Sequence, residues 1–253
     1  MSEIYFKISQ KKLELMFKKL LCTDMFKSNI ITQKDGKLFS VQTGGHGRAI
    51  QVLKFNNSFF TEISKSTLSI EIETKRIYEI VKDVSQKEFI TVTAKDNEFI
   101  IETSKEEFYF AFCPPRDEIK TSLPFPMKKG IPVVGEQEIK LDTHFVIDVE
   151  SFKHISKYMD KFKTEFCIFF YDQNQVKVRI GALDDFSDYM IYQPKYRIKT
   201  GKKLHVIVPY GIKQIANSFD NMIQIRTKTD SPLWIYEGTN DYVHGIFMAP
   251  FVY

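Results

Sequence analysis

The sequence predicts an α+β protein built from two similar domains, each holding two β-α-β-β-β units. Three observations lead to this fold class. Most of the 253 residues alternate apolar and polar side chains with a period of two, which is typical of half-buried strands. Four segments switch to helical spacing instead. A proline-rich stretch separates the second of these segments from the third, and it predicts the junction between the two halves.

The predicted strands come in groups of three that are separated by tight turns. Residues 89–94, 98–102 and 107–112 alternate in this way, and Asp96-Asn97 supplies a turn, so they predict an antiparallel meander. Three further groups of strands are predicted over residues 28–55, 165–193 and 222–248.

Each helical segment carries a stripe of residues at i, i+3, i+4 and i+7. The four stripes are Leu13, Met16, Phe17 and Leu20; Ile77, Ile80, Val81 and Val84; Phe152, Ile155, Ser156 and Met159, with one polar interruption; and Ile212, Ile215, Ala216 and Phe219. An isoleucine in a short strand-like run precedes each stripe by five residues, at Ile8, Ile72, Ile147 and Ile207. One strand–helix header is therefore predicted four times, as expected for an internal repeat.

The longest interval between headers contains five prolines within residues 113–132. Proline lacks the backbone N–H of a regular strand or helix, so this stretch predicts an extended linker without regular structure. We accordingly predict an N-terminal domain at residues 1–115, a connecting loop at 116–135 and a C-terminal domain at 136–253.

Composition excludes several classes of protein. The three cysteines form no CxxC pair, which argues for a reducing compartment and against a disulfide framework or a zinc site. The longest apolar run, residues 166–171, is too short to cross a bilayer, and the N-terminus lacks the apolar core of a signal peptide. We expect a cytoplasmic or nuclear protein with no membrane partner. Its net charge of +4 permits a nucleic-acid partner without requiring one.

Lysines recur on the helix faces that point away from the apolar stripes. At about 100° per residue, they lie opposite the stripe in the first three helices. These residues are Lys11 and Lys18, flanked by Lys12 and Lys19; Lys75 and Lys82; and Lys157, with Lys161 and His154 on the same face. The fourth helix offers only Gln214 and Asn217. A solvated surface explains any single helix, whereas the repetition favours sequence-independent contact with phosphates.

An enzyme, for instance a hydrolase, is the competing class. The candidates for its site are His46, which lies in a glycine-rich turn, and the Asp184-Asp185 pair. The turn matches neither a GxGxxG nor a Walker pattern, and the remaining histidines have no metal-ligand spacing. We therefore predict no catalytic residue, no metal and no cofactor.

Short motifs along the whole chain resemble the proliferating cell nuclear antigen (PCNA) family of DNA sliding clamps, in a divergent form similar to archaeal or viral members. Residues 88–97 resemble the strand pair that follows the family's second helix, and residues 130–132 resemble the end of its connecting loop. Residues 231–236 and 246–252 resemble its last two strands with their Ala-Pro ending. His46 lies where the family has a histidine beneath the connector.

This resemblance implies a DNA clamp (processivity) fold with helices on the inner face and antiparallel sheets outside. It implies a non-catalytic ring, usually a homotrimer, that encircles double-stranded DNA and serves DNA replication and repair. The implied partners are DNA polymerase, a clamp loader and other proteins with short clamp-binding motifs. The implied DNA-binding residues are Lys11, Lys18, Lys75, Lys82, Lys157 and Lys161. The implied partner-binding residues are His46, Ile131, Pro132, Pro232, Ala249 and Pro250. A clamp-like viral processivity or checkpoint factor that acts as a monomer, a dimer or a heterotrimer subunit is the alternative.

Overall fold

A computed structural model describes most of the chain. The described residues are 3–22, 29–44, 49–84, 88–115, 126–128, 131–134, 138–165, 167–172, 175–181, 188–200, 204–208, 212 and 215–249. The chain divides into two compact units. Unit 1 comprises Met1–Gly45, Gln51–Leu123 and Gly238–His244, and unit 2 comprises His46–Ile50, Pro124–Glu237 and Gly245–Tyr253. The exact domain boundaries stay a prediction, because residues 116–125 and 135–137 lie outside the described residues.

Unit 1 contains two of the predicted strand–helix headers. Its elements are β1 (Ile4–Ser9), α1 (Gln10–Leu20), β2 (Asn29–Lys34), β3 (Lys37–Gly44), β4 (Ala49–Phe55, whose first two residues belong to unit 2), a 3-10 helix (Asn57–Phe59), β5 (Glu62–Ile63), β6 (Leu68–Ile72), α2 (Thr74–Val81), β7 (Phe89–Lys95), β8 (Glu98–Glu102) and β9 (Glu107–Ala111). The strands lie in the orders β5-β1-β7-β8-β9 and β4-β3-β2-β6. The predicted meander is confirmed as β7–β9, with Thr91 opposite Glu102 and Glu102 opposite Glu107.

The core of unit 1 lies between its helices and sheets. All four stripe residues of α1 are fully buried, as are the alternating residues Ile4, Phe6 and Ile8 of β1. Burying apolar side chains of this size is worth about 1.5–3 kcal/mol each, so the period-two and period-3.6 patterns decide which faces meet.

Unit 2 repeats the plan after a short connecting sheet. Its elements are β10 (Met127–Lys128), β11 (Ile131–Val134), β12 (Ile139–Lys140), β13 (Thr143–Ile147), α3 (Val149–Lys161), β14 (Cys167–Asp172), β15 (Gln175–Gly181), β16 (Tyr189–Tyr192), β17 (Tyr196–Thr200), β18 (Leu204–Val208), a 3-10 helix (Ala216–Ser218), β19 (Ile223–Thr227), β20 (Leu233–Gly238) and β21 (Tyr242–Met248, which begins in unit 1). The strand orders are β10-β11-β12, β17-β13-β19-β20-β21 and β16-β15-β14-β18.

Two sequence predictions about unit 2 need correction. The proline-rich stretch is partly regular, because Pro132 lies in β11 opposite Met127. Proline can take this place since only its carbonyl is used there, accepting a hydrogen bond from the Leu141 N–H at 3.0 Å. The fourth helix is short: Ile212 and Ile215 are helical, and a 3-10 turn follows at once. Lys213 and Gln214 lie outside the described residues.

Candidate nucleic-acid interface

Helices α1 and α2 pack on each other in unit 1. Buried Gln10, at the start of α1, donates a hydrogen bond from its side-chain amide to the carbonyl of Val81, at the end of α2, over 3.0 Å. The start of one helix therefore lies beside the end of the other, and the pair is antiparallel. This arrangement brings the Lys11 end of α1 towards the Lys82 end of α2, and the Lys18 end towards Lys75.

The predicted DNA-binding lysines of unit 1 differ in how their charge is used. Lys11 and Lys75 are exposed and make no hydrogen bond or ion pair within the described part of the chain. Lys18 is half-buried and has an intramolecular partner. Lys82 pairs with Glu79 one turn earlier, and this hydrogen bond raises the pKa of the lysine. The charges of Lys11 and Lys75 thus remain available to an anion.

The flanking lysines Lys12 and Lys19 do not belong to this outward face. The Lys12 ammonium lies 3.3 Å from the Asp241 carboxylate and donates to the Ser58 carbonyl at 3.2 Å. Lys19 is fully buried, with its ammonium 5.8 Å from the centroid of the Tyr242 ring. A long lysine side chain on a helix flank can turn towards a neighbouring element, and here both turn towards Gly238–His244. Their expected place beside the outward lysines is wrong.

Asp241 anchors this segment through more than its ion pair. Its backbone carbonyl accepts from the Asn56 N–H at 2.8 Å, and the Asn56 side chain donates to the Asn240 carbonyl at 2.9 Å. Hydrogen bonding to Ser58, and then to Lys12, lowers the pKa of the Asp241 carboxyl. The end of the C-terminal hairpin is therefore part of unit 1.

Helix α3 presents the corresponding face in unit 2. Asp148 caps its start by accepting a hydrogen bond from the Ser151 N–H at 2.6 Å. Lys157 is exposed and has no partner among the described residues. Lys161 is exposed too, with its ammonium 4.7 Å from the centroid of the Tyr158 ring. Lys11, Lys75 and Lys157 are called the unpaired helix lysines below.

The predicted partner-binding residues are only partly brought together. Pro232 precedes β20 and Ala249 follows β21, so both lie at the open end of one hairpin, and both are half-buried. Ile131 and Pro132 lie in β11, within the small connecting sheet. His46 and Pro250 lie outside the described residues.

The described residues contain little that could perform catalysis. They include no group of three or more His, Cys, Asp or Glu side chains that could hold a metal ion. Cys22 and Cys167 are buried and Cys113 is exposed, and burial raises the pKa of the Cys167 thiol. His46 and the Asp184-Asp185 pair of the competing enzyme hypothesis lie outside the described part of the chain. No described helix is long and apolar enough to cross a membrane.

Two sheet edges carry exposed apolar side chains that sequence reasoning missed. β9 ends the five-stranded sheet and bears Tyr109, which is 57% exposed. β16 ends the four-stranded sheet and bears Ile191, 59% exposed, and Tyr189, 44% exposed. An open edge offers unpaired backbone N–H and C=O groups to another strand. The available signal was the run Tyr-Met-Ile-Tyr at 189–192, whose side chains are apolar on both faces.

Two units that each set strand–helix headers against antiparallel sheets define a protein with the sliding-clamp fold. The chain has the fold of PCNA. It superimposes on PCNA from Entamoeba histolytica with a TM-score of 0.81 and 15% identity, over 100% of both chains. It matches A. fulgidus PCNA bound to the C-terminal region of FEN-1 with a TM-score of 0.78 and 15% identity, over 99% of both chains. Thermococcus kodakaraensis PCNA gives a TM-score of 0.74 and 15% identity, over 99% of this chain and 100% of the other.

The predicted fold class is confirmed by these structures. No protein-family model matches the chain, and no curated protein matches its sequence. The likeness is therefore one of fold, carried by the pattern of buried and exposed positions rather than by residue identity.

Proposed function

We propose that this protein is a DNA sliding clamp, a ring-shaped processivity factor that encircles duplex DNA and tethers DNA polymerase and other replication and repair proteins. The observation that carries the proposal is the match to three PCNA structures over 99–100% of this chain. In such a ring the protein acts by linkage and needs no active site. We place it at replicating DNA inside the cell, in the cytoplasm or the nucleus.

The proposed DNA face consists of Lys11, Lys18, Lys75, Lys82, Lys157 and Lys161. The unpaired helix lysines support it most directly, because their charge is not neutralised within the described part of the chain. Lysine contacts to phosphates are independent of base sequence and weaken with salt. A ring that is already linked to DNA benefits from such weak contacts, since tight or sequence-specific ones would stop it sliding.

The proposed homotrimer would close through the edges β9 and β16. Pairing β9 of one copy with β16 of the next would satisfy both rows of backbone groups and cover Tyr109, Tyr189 and Ile191. Because the two edges are different surfaces, this contact is head-to-tail, and head-to-tail contacts generate rings when the rotation closes. Two domains, at residues 1–115 and 136–253 and joined by 116–135, would form each third of the ring.

The proposed partner site combines His46, Ile131, Pro132, Pro232, Ala249 and Pro250. The half-buried residues at the open end of the β20–β21 hairpin support an apolar site there. We propose that it takes short clamp-binding segments of polymerases and other partners, of the kind represented by the FEN-1 C-terminal region bound to A. fulgidus PCNA. A clamp loader is the proposed means of placing the ring on DNA.

The test is retention on circular DNA. The protein would be loaded onto nicked circles with a matched clamp loader, separated from free protein by gel filtration, and challenged with a restriction enzyme that linearises the circle. A clamp stays on the circle and leaves after linearisation, and its native mass in solution is that of three chains. A monomeric mass at micromolar concentration, or equal retention on both DNA forms, would refute the ring.

A charge-reversal variant tests the DNA face separately. The unpaired helix lysines changed together to Glu should keep the native mass, because they lie off the core, and should lose polymerase stimulation. Changing three exposed lysines away from these helices, Lys95, Lys105 and Lys177, is the matched control. Equal stimulation by both variants would place the DNA face elsewhere on the ring.

A further inference from the structure

A row of stacked side chains runs along one flank of α3 and ends at Lys161. The His154 ring lies 4.4 Å from the Tyr192 ring, and the two planes are 26° apart. On its other side it lies 4.5 Å from the Tyr158 ring. The Lys161 ammonium is 4.7 Å from the centroid of that same Tyr158 ring. Tyr192, His154, Tyr158 and Lys161 are called the aromatic row below.

The far end of the aromatic row is fixed to the start of the helix. Tyr192 lies in β16, and its hydroxyl is 3.2 Å from the hydroxyl oxygen of buried Ser151. The same oxygen accepts a hydrogen bond from the Lys195 N–H at 3.0 Å. Because Ser151 also donates its own N–H to the Asp148 cap, Tyr192 is held against the first turn of α3. The rings of His154 and Tyr158 then stack outward from a fixed point.

Lys161 differs from the other predicted DNA-binding lysines in what holds it. Lys82 is held by the Glu79 carboxylate, which cancels its charge, and Lys157 has no partner within the described part of the chain. An aromatic face restrains an ammonium group and leaves its net charge intact. A restrained lysine loses less conformational freedom when it binds a phosphate, so pre-ordering increases affinity.

We infer that Tyr158, itself held by His154 and Tyr192, is a positioning residue that orders Lys161 for contact with a phosphate of duplex DNA. This inference rests on the proposed function. The Tyr158 ring, not its hydroxyl, carries the effect, since the contact to Lys161 is made to the ring face. The strength of an exposed cation–π contact corresponds to about a two- to fivefold change in affinity.

The experiment measures binding of the intact protein to a fluorescent linear DNA duplex, by anisotropy, over a series of salt concentrations. Tyr158→Leu should weaken binding about two- to fivefold. Tyr158→Phe should bind as the parent protein does, because the phenyl ring is retained. Lys161→Gln should weaken binding and lower the salt slope by about 0.9, the value expected when one phosphate is no longer neutralised. Adding Tyr158→Leu to Lys161→Gln should then have no further effect.

Tyr78→Leu is the matched control, because Tyr78 lies on α2 near Lys82, which is held instead by Glu79. It should leave DNA binding unchanged. If Tyr158→Leu unfolds α3, judged by circular dichroism, His154→Leu supplies a second break in the row, and the same direction of effect is expected. Tyr192→Phe should keep the stack and remove only its hydroxyl.

Two results would overturn the inference and leave the clamp proposal standing. One is that Lys161→Gln weakens binding while Tyr158→Leu and His154→Leu do not. The other is that Tyr158→Phe loses as much as Tyr158→Leu, which would assign the effect to a direct contact by the hydroxyl. Absence of any salt-dependent duplex binding by the parent protein would instead count against the proposed function itself.

Discussion

The contact between Gly245 and Trp234 gives the sharpest prediction about the C-terminal hairpin. A Cβ atom built on Gly245 would lie 2.1, 2.5 and 2.8 Å from three carbons of the Trp234 indole. Ordinary van der Waals contact needs about 3.5–4 Å, so the ring would have to move by more than about 1 Å. Trp234 is only 4% exposed and stacks on Tyr236 with ring centroids 5.4 Å apart. The indole therefore has little room to move.

Gly245→Ala should consequently destabilise the protein by about 3 kcal/mol, the upper part of the usual overpacking range, because a rigid ring blocks the new methyl group. For a chain of this size that corresponds to a fall in Tm of roughly 6–12 °C. The assay is thermal unfolding followed by circular dichroism. Gly238→Ala is the control, since its Cβ would meet its nearest neighbours at 3.7 Å, and it should stay within about 0.5 kcal/mol of the parent.

A double-mutant cycle tests whether the indole is the cause. Trp234→Leu removes the obstructing carbons at its own cost of a few kcal/mol. In that background Gly245→Ala should cost less than about 1 kcal/mol, which gives a coupling of about 2 kcal/mol. An unchanged Tm for Gly245→Ala, or an equal cost in both backgrounds, would refute the reasoning.

Three further predictions concern charge and reactivity. Replacing the unpaired helix lysines by Gln should lower the salt slope of duplex binding by about 0.9 for each phosphate that is no longer neutralised, measured by anisotropy, whereas Lys82→Gln should change it less because Lys82 is already paired. The lowered pKa of Asp241 means that its ionised form stabilises the fold above the carboxyl's unfolded value of 3.8, and that this contribution is lost as the pH falls through the folded value. Asp241→Asn should therefore lower the Tm at pH 7 by no more than the equivalent of about 1 kcal/mol, as for an exposed pair, and by less at pH 3; an equal loss at both values would contradict the assignment. In an alkylation experiment read by mass spectrometry, exposed Cys113 should react in the native protein, while the raised pKa of buried Cys167 should protect it, and early labelling of Cys167 would count against its buried position.

The helices and strand groups were predictable because burial follows local periodicity. The stripe residues of α1 are buried as expected, and the strand headers at Ile8, Ile72 and Ile147 end β1, β6 and β13. The short fourth helix was harder to predict, because an apolar stripe of four residues fits one turn as well as three. The strand at Pro132 was missed, since a proline pattern does not reveal which backbone groups a strand uses.

The outward lysines were predictable as positions, but their use was not. A helical wheel places Lys12 beside Lys11 and Lys161 beside Lys157, yet it carries no information about elements far away in sequence. Asp241 takes up the charge of Lys12, and Tyr192 begins the row that ends at Lys161. The side chains assigned to DNA and partners stay predictions until the experiments above are done.

The sequence by itself determined the repeated header, the division into halves and the side of each element that faces a core, because those properties depend on spacing within one segment. Only the tertiary structure decided which lysines keep their charge for a ligand, which sheet edges are open, and why position 245 is glycine. Each of these depends on a neighbour that is distant in sequence: Asp241 for Lys12, and Trp234 for Gly245. A one-dimensional pattern specifies the burial of a residue, but contacts between distant segments specify what its exposed atoms can do.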